Sequence, residues 1–573
     1  MEKISVIDFF CGAGGFSEGF RQQGFEIILG IDKWQPAINT FNFNFNQNFK
    51  SKNILDYYDS IEEIDLLPNT EIIIGSPPCV SFSSSNKSGK ADKALGLKLT
   101  ESFLRVIAVK KHQKDSNLQA WYMENVENSK KHLKNKYTFY DLNLKEWAKK
   151  NGINPKKIAI KIEGNSSVLN SADYGSFQAR KRLITGEIIL KKKFIIPKKT
   201  HSKDGKNKLE IYKKLDDFRQ NFPNPYSYSR NNDVIDPTYG IRIKAEFLTD
   251  QFYDTGVYKC DWETSKFRKI NHPYMGKMSF PENPLKPSRT ITATKISNSR
   301  ESIIYKSELA RIGDGEFRSP TVREAACLMG FPISYQFLGS ENTKWKLVGN
   351  AVCPSVSRAL AKDLRWYLNL ENIQNIISTS INIDQTQNLN NFTLKTFDNP
   401  PKKNKGARFR RHTFKTDNIT VALSNYDIKV NEKNVGKWRS TILYGTGEGF
   451  GIDEVKEGNY KSLEPIIINN FSDGKQFIEI INNGFSEKIA DKYTLQKMYE
   501  NKSSIQEFYD PVRLIDEVKS IIGKFDSNNE MFVQSNSKIF KKDKVSKKQL
   551  FALYAINKIV TTTNSKETCL SIS

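Results

Sequence analysis

The sequence predicts an α/β protein: a mostly parallel, doubly wound sheet interrupted by a small inserted domain, with an extra α+β domain at the C-terminal end. Three observations predict it. Short β-branched apolar runs alternate with helix-like stretches from Ile4-Ser5-Val6-Ile7-Asp8-Phe9-Phe10 onward, the strand–helix–strand rhythm of a parallel sheet. Over 190–286 that rhythm gives way to Lys/Asn/Tyr-rich polar stretches with short apolar runs, and it returns at Pro287. Over 380–395 the chain is Asn/Gln/Thr-rich, the composition of a linker. The expected domains are therefore 1–189 and 344–372 for the sheet domain, 190–343 for the insert and 396–573 for the addition.

Taken in order, the opening strand runs into Cys11-Gly12-Ala13-Gly14-Gly15-Phe16 and a helix-like stretch over 17–24. Strand, glycine turn and helix open a nucleotide-binding unit, because glycine lets a ligand approach the backbone closely. A second strand over 25–31 ends at Asp32, where a carboxylate suits a ribose diol. The pattern is not GxGxxG, so NAD, FAD and S-adenosylmethionine all remain open at this point. The Asn/Phe-rich patch over 39–48 reads as a helix end with local composition bias. A third strand, Glu71-Ile72-Ile73-Ile74, ends in Gly75-Ser76-Pro77-Pro78-Cys79-Val80-Ser81. The prolines stop the strand and stiffen the turn. Cys79 then lies past the C-terminal end of a strand, where open α/β sheets bind ligands, and is either a nucleophile or a buried structural thiol. The Ser/Lys/Gly-rich stretch over 83–99, with Gly89 and Gly96 as hinges, reads as a lid or an ordinary solvated loop.

After a helix over 102–110, a strand over 118–123 ends in Glu124-Asn125-Val126. Glu124 points into the same crevice as Cys79 or serves as a helix cap or surface acid. In Gln178-Ala179-Arg180-Lys181-Arg182-Leu183-Ile184, strand alternation puts Arg180 and Arg182 on one face, suited to a phosphate or carbonyl oxygen, or simply makes a basic surface strand. Ser319-Pro320-Thr321 opens a helix by the proline-near-N1 pattern, and Val348-Gly349-Asn350-Ala351-Val352 precedes a helix from about 355 to 368. Beyond the linker, 419–423, 440–444 and 465–468 are strand-like, and 510–522 and 546–560 helical.

The formal net charge is +24, which favours a polyanionic partner. Six cysteines form no CxxC pair and only five histidines occur, so neither a zinc ribbon nor a disulfide framework is expected, and no metal. A reduced, cytoplasmic protein is expected. No apolar run is long enough to cross a membrane, and the first residues carry no signal-peptide pattern.

Glycine turn, Pro-Cys loop, Glu-Asn-Val, Gln-x-Arg-x-Arg and Gly-Asn-Ala-Val occur here in that order. Together they resemble the DNA (cytosine-5)-methyltransferases of prokaryotic restriction-modification systems, over roughly residues 4–368. The resemblance implies a Rossmann-like, S-adenosyl-L-methionine-dependent fold and a target-recognition region over about 190–286. It gives Phe10, Ala13, Gly14 and Gly15 to the cofactor loop, Asp32 to the ribose, and Asn53 and Ile54 to the adenine. Asn53 departs from the acid usual there. Asn350 and Val352 complete the cofactor pocket. Cys79 becomes the nucleophile, Glu124 the acid at cytosine N3, and Arg180 and Arg182 the arginines near a flipped-out base. The implied partner is double-stranded DNA, acted on by a monomer that protects it from a separately encoded cognate restriction endonuclease. The alternatives are a tRNA cytosine-5 methyltransferase and a catalytically silent DNA-binding relative. In 396–573 the single histidine, His412, and the lack of a PD…ExK series give no nuclease site.

Overall fold

The computed structural model describes residues 4–78, 93–229, 231–248, 250–271, 277–371, 373, 394–397, 411–416, 419–426, 437–444, 452–501, 507–525, 530–534, 539–541 and 543–566. The chain divides into two compact units, Met1–Pro401 and Lys402–Ser573.

The first unit is built on six strands: β1 (Ser5–Phe9), β2 (Glu26–Ile31), β3 (Ile72–Gly75), β4 (Ala120–Asn125), β5 (Ser166–Asn170) and β6 (Lys181–Ile188). Their order across the sheet is β2-β1-β3-β4-β6-β5. β6 alone runs against its neighbours, pairing antiparallel with both β4 and β5; the rest of the sheet is parallel. Both faces are covered, and the alternation within each strand shows it. Val6, Ile72, Ile74, Ala120 and Tyr122 join the core on one face, while Ile7, Phe9, Ile73, Trp121 and Met123 join the core on the other. A period of two places neighbouring side chains on opposite faces, so continuous apolar strands identify a sheet buried on both sides.

Three helices frame the site. α1 (Gly15–Arg21) follows the glycine turn, α2 (Gln35–Phe45) follows Asp32, and α3 (Lys93–His112) leads toward β4. The Asn/Phe-rich patch lies in α2 and has a packing role. Phe41 is fully buried and stacks on Phe45 at 4.4 Å between ring centroids. A Cβ on Gly30 would come within 2.7 Å of the Phe41 ring, so the glycine admits the aromatic. Gly96, expected as a loop hinge, lies inside α3; residues 79–92, including Cys79, Val80 and Gly89, lie outside the described residues.

The insert is less separate than its composition suggests. Among the described residues its strands form short pairs, His201–Ser202 with Glu210–Ile211, Asp233–Ile235 with Arg242–Lys244 and Tyr305–Lys306 with Phe317–Arg318. Its apolar residues Leu215, Phe218, Phe222, Val234, Ile243 and Leu248 join the same core as β1 and α1. Charged side chains hold the remainder, among them Arg318 between Glu308 and Glu324, and Arg323 on Asp250. Further on, α4 (Val322–Met329) starts two residues after Pro320. Thr321 is its N-cap: Glu324 N donates to Thr321 Oγ1 at 3.1 Å and Thr321 N donates to Glu324 Oε2 at 2.8 Å, a capping box. α5 (Glu341–Asn350) takes up Val348, Gly349 and Asn350, which sequence pattern left as a connection, and α6 (Pro354–Tyr367) packs on α1.

The second unit has a four-stranded antiparallel sheet, Arg411–Thr416, Ile419–Asn425, Trp438–Tyr444 and Ile452–Val455 in sequential order, with helices packed on it. Its long helix Lys547–Ser565 buries Leu550 through Ile556 without an exposed residue among them. Residues 465–468, expected as a strand, belong to the helix Tyr460–Asn470; Leu463 and Ile467 are both fully buried, and their spacing of four puts them on one helical face.

Candidate functional site

The carboxyl ends of β1 to β4 line one crevice edge, as the sheet direction requires. After β1, Phe10 takes a left-handed backbone (φ 55°), as do Gly12 (φ 54°) and Gly14 (φ 88°). A non-glycine residue held there costs energy, and Phe10 is fixed by burial in the core that also holds Ile54. Asp32, just past β2, ties the turn down. Gly12 N donates to its Oδ2 at 3.1 Å and Trp34 N to its Oδ1 at 2.8 Å. Burial raises the Asp32 pKa, opposed by these two N–H groups. Lys52 N donates to Asp32 O at 2.9 Å, which brings Asn53 and Ile54 alongside. Asn53 is exposed and its Oδ1 accepts Leu55 N at 3.2 Å.

The returning segment closes the other side. A Cβ on Gly15 would lie 2.2 Å from Val352 O, and one on Gly19 2.3 Å from Arg358 N, so α1 and the start of α6 meet backbone to backbone. Val352 is buried and Asn350 exposed. Tyr335 donates its hydroxyl to Ala13 O, a contact that no short motif announced.

At the other end of the crevice, Ser76 N donates to Phe9 O at 3.1 Å and Ser76 Oγ to Phe10 O at 3.0 Å. Asn125 Nδ2 donates to Pro77 O at 3.3 Å. The chain that leads to Cys79 is thereby fixed between β1 and β4. Glu124, next to last in β4, lies opposite Ile184 of β6, and its Oε1 lies 3.0 Å from Arg182 Nε. Burial raises the Glu124 pKa, with Arg182 and then Arg180 opposing the rise. Arg180 precedes β6 and turns inward. It is 4% exposed, and its guanidinium donates to Ile291 O at 3.0 Å, Gly349 O at 3.0 Å and Ala351 O at 3.3 Å. One side chain thus fastens the insert's exit and the Gly-Asn-Ala-Val segment to the catalytic sheet. Cys353, buried at the start of α6, feels Arg180, Arg182 and Glu124, and burial raises its thiol pKa; its sequence position beside Val352 is the one signal that could have found it. Among the described residues, no group of three or more His, Cys, Asp or Glu is placed to hold a metal.

The crevice suits a ligand that approaches the glycine turn and brings hydrogen-bond donors to Asp32. A Cβ on Gly12 would meet only Phe10 O, at 3.9 Å, so the turn opens on that side to a ligand. Asp32 stands beside the opening with lone pairs beyond those used by the two backbone donors. Fold and site therefore define an α/β protein with an open glycine turn beside a carboxylate and a buried acid paired with a partly exposed guanidinium at neighbouring strand ends.

The comparisons with known proteins identify the class. The family model for C-5 cytosine-specific DNA methylases matches residues 4–366. Type II methyltransferase M.HgiDI of Herpetosiphon aurantiacus is 26% identical over 382 residues, covering 65% of this chain and 98% of that protein. M.HgiGI of the same organism is 38% identical over 129 residues, 22% of this chain and 94% of that protein. A solved putative DNA modification methyltransferase from an E. coli prophage aligns over 64% of this chain and 100% of its own, at 20% identity and a TM-score of 0.40. The chain belongs to the C-5 cytosine-specific DNA methylase family. Its cofactor is S-adenosyl-L-methionine and its substrate is DNA. No helix among the described residues is long and apolar enough to cross a membrane.

Proposed function

We propose that the chain methylates C5 of a cytosine flipped out of a specific duplex sequence, with Cys79 as nucleophile and Glu124 and Arg182 as its electrostatic partners. The observation that carries this reading is the pairing of buried Glu124 with partly exposed Arg182 near the ends of β4 and β6. Cytosine C5 is a weak nucleophile in an aromatic ring, and a target base inside a duplex must be extruded before any side chain reaches it. Thiolate attack at C6 forms a sulfur–carbon bond and makes C5 enamine-like. Negative charge grows toward N3 and O2. A protonated Glu124 donates at N3, and its burial, which raises its pKa, favours that form. Arg182 stabilises O2. Arg180 acts one step back, holding the segments around the base. Bound S-adenosylmethionine supplies the methyl group from its sulfonium, and C5 takes it. A base then removes the C5 proton, the C6–sulfur bond breaks, and the thiolate of Cys79 is released.

Phe10, Ala13, Gly14, Gly15, Asp32, Asn53, Ile54, Asn350 and Val352 form the cofactor pocket in this reading. Gly14 does so through the turn geometry. Asn53 reads the adenine amino group through its carboxamide oxygen, which it must share with Leu55 N. The segment 190–286 within the 190–343 insert carries sequence choice, while 1–189 and 344–372 carry catalysis. The enzyme acts as a monomer in the cytoplasm, protecting DNA from a separately encoded nuclease, in line with its likeness to type II methyltransferases.

Trapping tests the chemistry directly. On duplex DNA carrying 5-fluorocytosine at the target, fluorine cannot leave as a cation, so a denaturation-stable adduct forms at Cys79. The Cys79→Ser variant forms none and transfers no methyl group, yet still binds cofactor. An active enzyme that leaves no adduct refutes the covalent route. Methylation mapping of DNA from a host expressing the chain gives the target sequence.

A further inference from the structure

The residues that follow Glu124 and Asn125 make a cationic rim on the catalytic edge of the sheet. A 3-10 helix, Glu127–His132, carries Lys130 and Lys131, both exposed. Hydrogen bonds moor it to that edge. Val126 N donates to Asn125 Oδ1 at 2.8 Å, and buried Ser129 donates to Val126 O from its N at 3.0 Å and its Oγ at 2.7 Å. Asn125 in turn donates to Pro77 O. The helix packs against β6, whose first residue, Lys181, is also exposed.

Among the described residues, no acid neutralises these three ammonium groups. Residues three apart eclipse in a 3-10 helix, so Glu127 and Lys130 stand in line, yet they form no ion pair, and neither do Lys131 and Lys181. Lys134, just past the helix, differs: Asp141 holds it at 2.8 Å. Like charges gathered on one edge repel one another, and a polyanion relieves that repulsion. Two separate elements, the 3-10 helix and the start of β6, bring their unneutralised cations to the strand ends that carry Glu124 and Arg182.

We propose that Lys130, Lys131 and Lys181 contact the DNA phosphates that flank the extruded cytosine. The inference rests on the reading that the target base enters beside Glu124 and Arg182. An extruded nucleotide stays covalently joined to its neighbours, so the strand on either side of it passes over this edge. From Glu124 to Lys131 the chain path is at most about 18 Å, at roughly 3.3 Å per extended residue and 2.0 Å per 3-10 residue. Phosphates recur about every 3.4 Å of helix axis along one strand, so the lysines reach those within about five steps of the target. Such contacts fix position on the duplex and carry no sequence information.

Binding of the full-length chain to duplex DNA carrying its mapped target, measured against salt, tests this. Each phosphate contact contributes about 0.9 to the log–log slope. The double variant Lys130→Gln, Lys131→Gln is expected to lose about 1.8 from the slope, which narrows its affinity gap to the native chain about 12-fold between 50 and 200 mM salt. Lys181→Gln alone is expected to lose about 0.9. KM for DNA is expected to rise in both, while kcat at saturating DNA, cofactor affinity and the methylated sequence hold. The charge-matched control is Lys192→Gln, Lys193→Gln. Both lysines are exposed just past Ile188, the last residue of β6, which lies opposite the first residue of β4 at the far end of the sheet; this pair is expected to leave the slope in place. Equal slope losses in the two pairs mark a net-charge effect and overturn the proposal. An unmoved slope in the Lys130–Lys131 pair, the result for cations that serve only the helix dipole, overturns it too, as does a changed methylated sequence, the sign of base contacts. Binding is read without turnover, so the two readings fail separately: an unmoved slope in a chain that still forms the 5-fluorocytosine adduct removes the phosphate contacts alone, and an active chain without the adduct removes the catalytic reading.

Discussion

Replacing Arg180 with methionine tests whether this residue organises the site from behind. The change removes the donors to the carbonyls of Ile291, Gly349 and Ala351 while keeping most of the aliphatic volume, so cavity formation adds little. A hydrogen bond from a charged donor is worth about 1.5–3 kcal/mol, and an abandoned buried carbonyl forfeits most of that. The relief of no longer burying a guanidinium offsets part of the loss. The balance is a destabilisation of about 3–5 kcal/mol in the first unit. Urea unfolding followed by tryptophan fluorescence measures it, because six of the seven tryptophans precede residue 402. Catalysis should respond in a second, independent way. Arg180 opposes the raised pKa of Glu124, so its removal pushes that pKa higher still. The protonated acid then survives to higher pH, and the alkaline limb of the rate profile moves upward. A purely structural arginine would lower stability and leave that limb alone. Destabilisation below about 1 kcal/mol, the value for a single ordinary hydrogen bond, or an unmoved alkaline limb, would refute the reasoning.

Asp32→Ala is expected to weaken S-adenosylmethionine binding by about 1–3 kcal/mol, the cost of a lost hydrogen bond to a charged group, without altering the methylated sequence; calorimetry and methylation mapping check the two halves. Gly14→Ala should impair both folding and cofactor affinity, because its φ of 88° disfavours a side chain and the new Cβ would lie 2.5 Å from Phe45 Cε2; a native-like melting temperature and Kd would contradict this. Burial raises the Asp8 pKa to about 8, so the folded chain keeps a proton that the unfolded chain releases near pH 4. The stability this contributes is complete below the unfolded pKa and is lost as pH rises toward about 8. Asp8→Asn, which keeps an acceptor for the Ser17 hydroxyl, should therefore flatten the pH dependence of stability between roughly pH 5 and 8; an unchanged slope argues that Asp8 is ionised in the fold.

Much of the sheet was legible because its strands are buried on both faces. Ile72-Ile73-Ile74 has no polar alternation to mislead, and the glycine turn, Asp32 and Glu124 each follow a strand end that sequence marks with a change of residue type. Arg180 and Arg182 show where local rules stop. Strand alternation treats them as equivalent, yet the strand begins at Lys181, and Arg180 is drawn inward by carbonyls more than a hundred residues away in sequence. The same limit explains the insert. Its polar composition suggests a separate domain, but Phe218, Phe222 and Leu248 join the core that also holds residues of α1 and α4, a partnership that no local window contains.

Composition also misjudged two stretches for a common physical reason. The Phe-Asn alternation over 41–46 looks like bias until Gly30 is seen to leave room for the Phe41 ring; the aromatic and the glycine explain each other only across the fold. The linker is the second case. Lys395 and Phe397 lie in or just beyond a polar stretch whose average composition says solvent, yet Lys395 N donates to Asp254 Oδ2 at 2.8 Å and Phe397 packs edge-on to Tyr258. Docking needs only one cation and one ring at the right spacing, provided that a complementary surface already exists. Asp254, Tyr226 and Arg311 supply that surface through contacts they make with one another. A short recognition segment therefore leaves almost no compositional trace, and its partner carries most of the information.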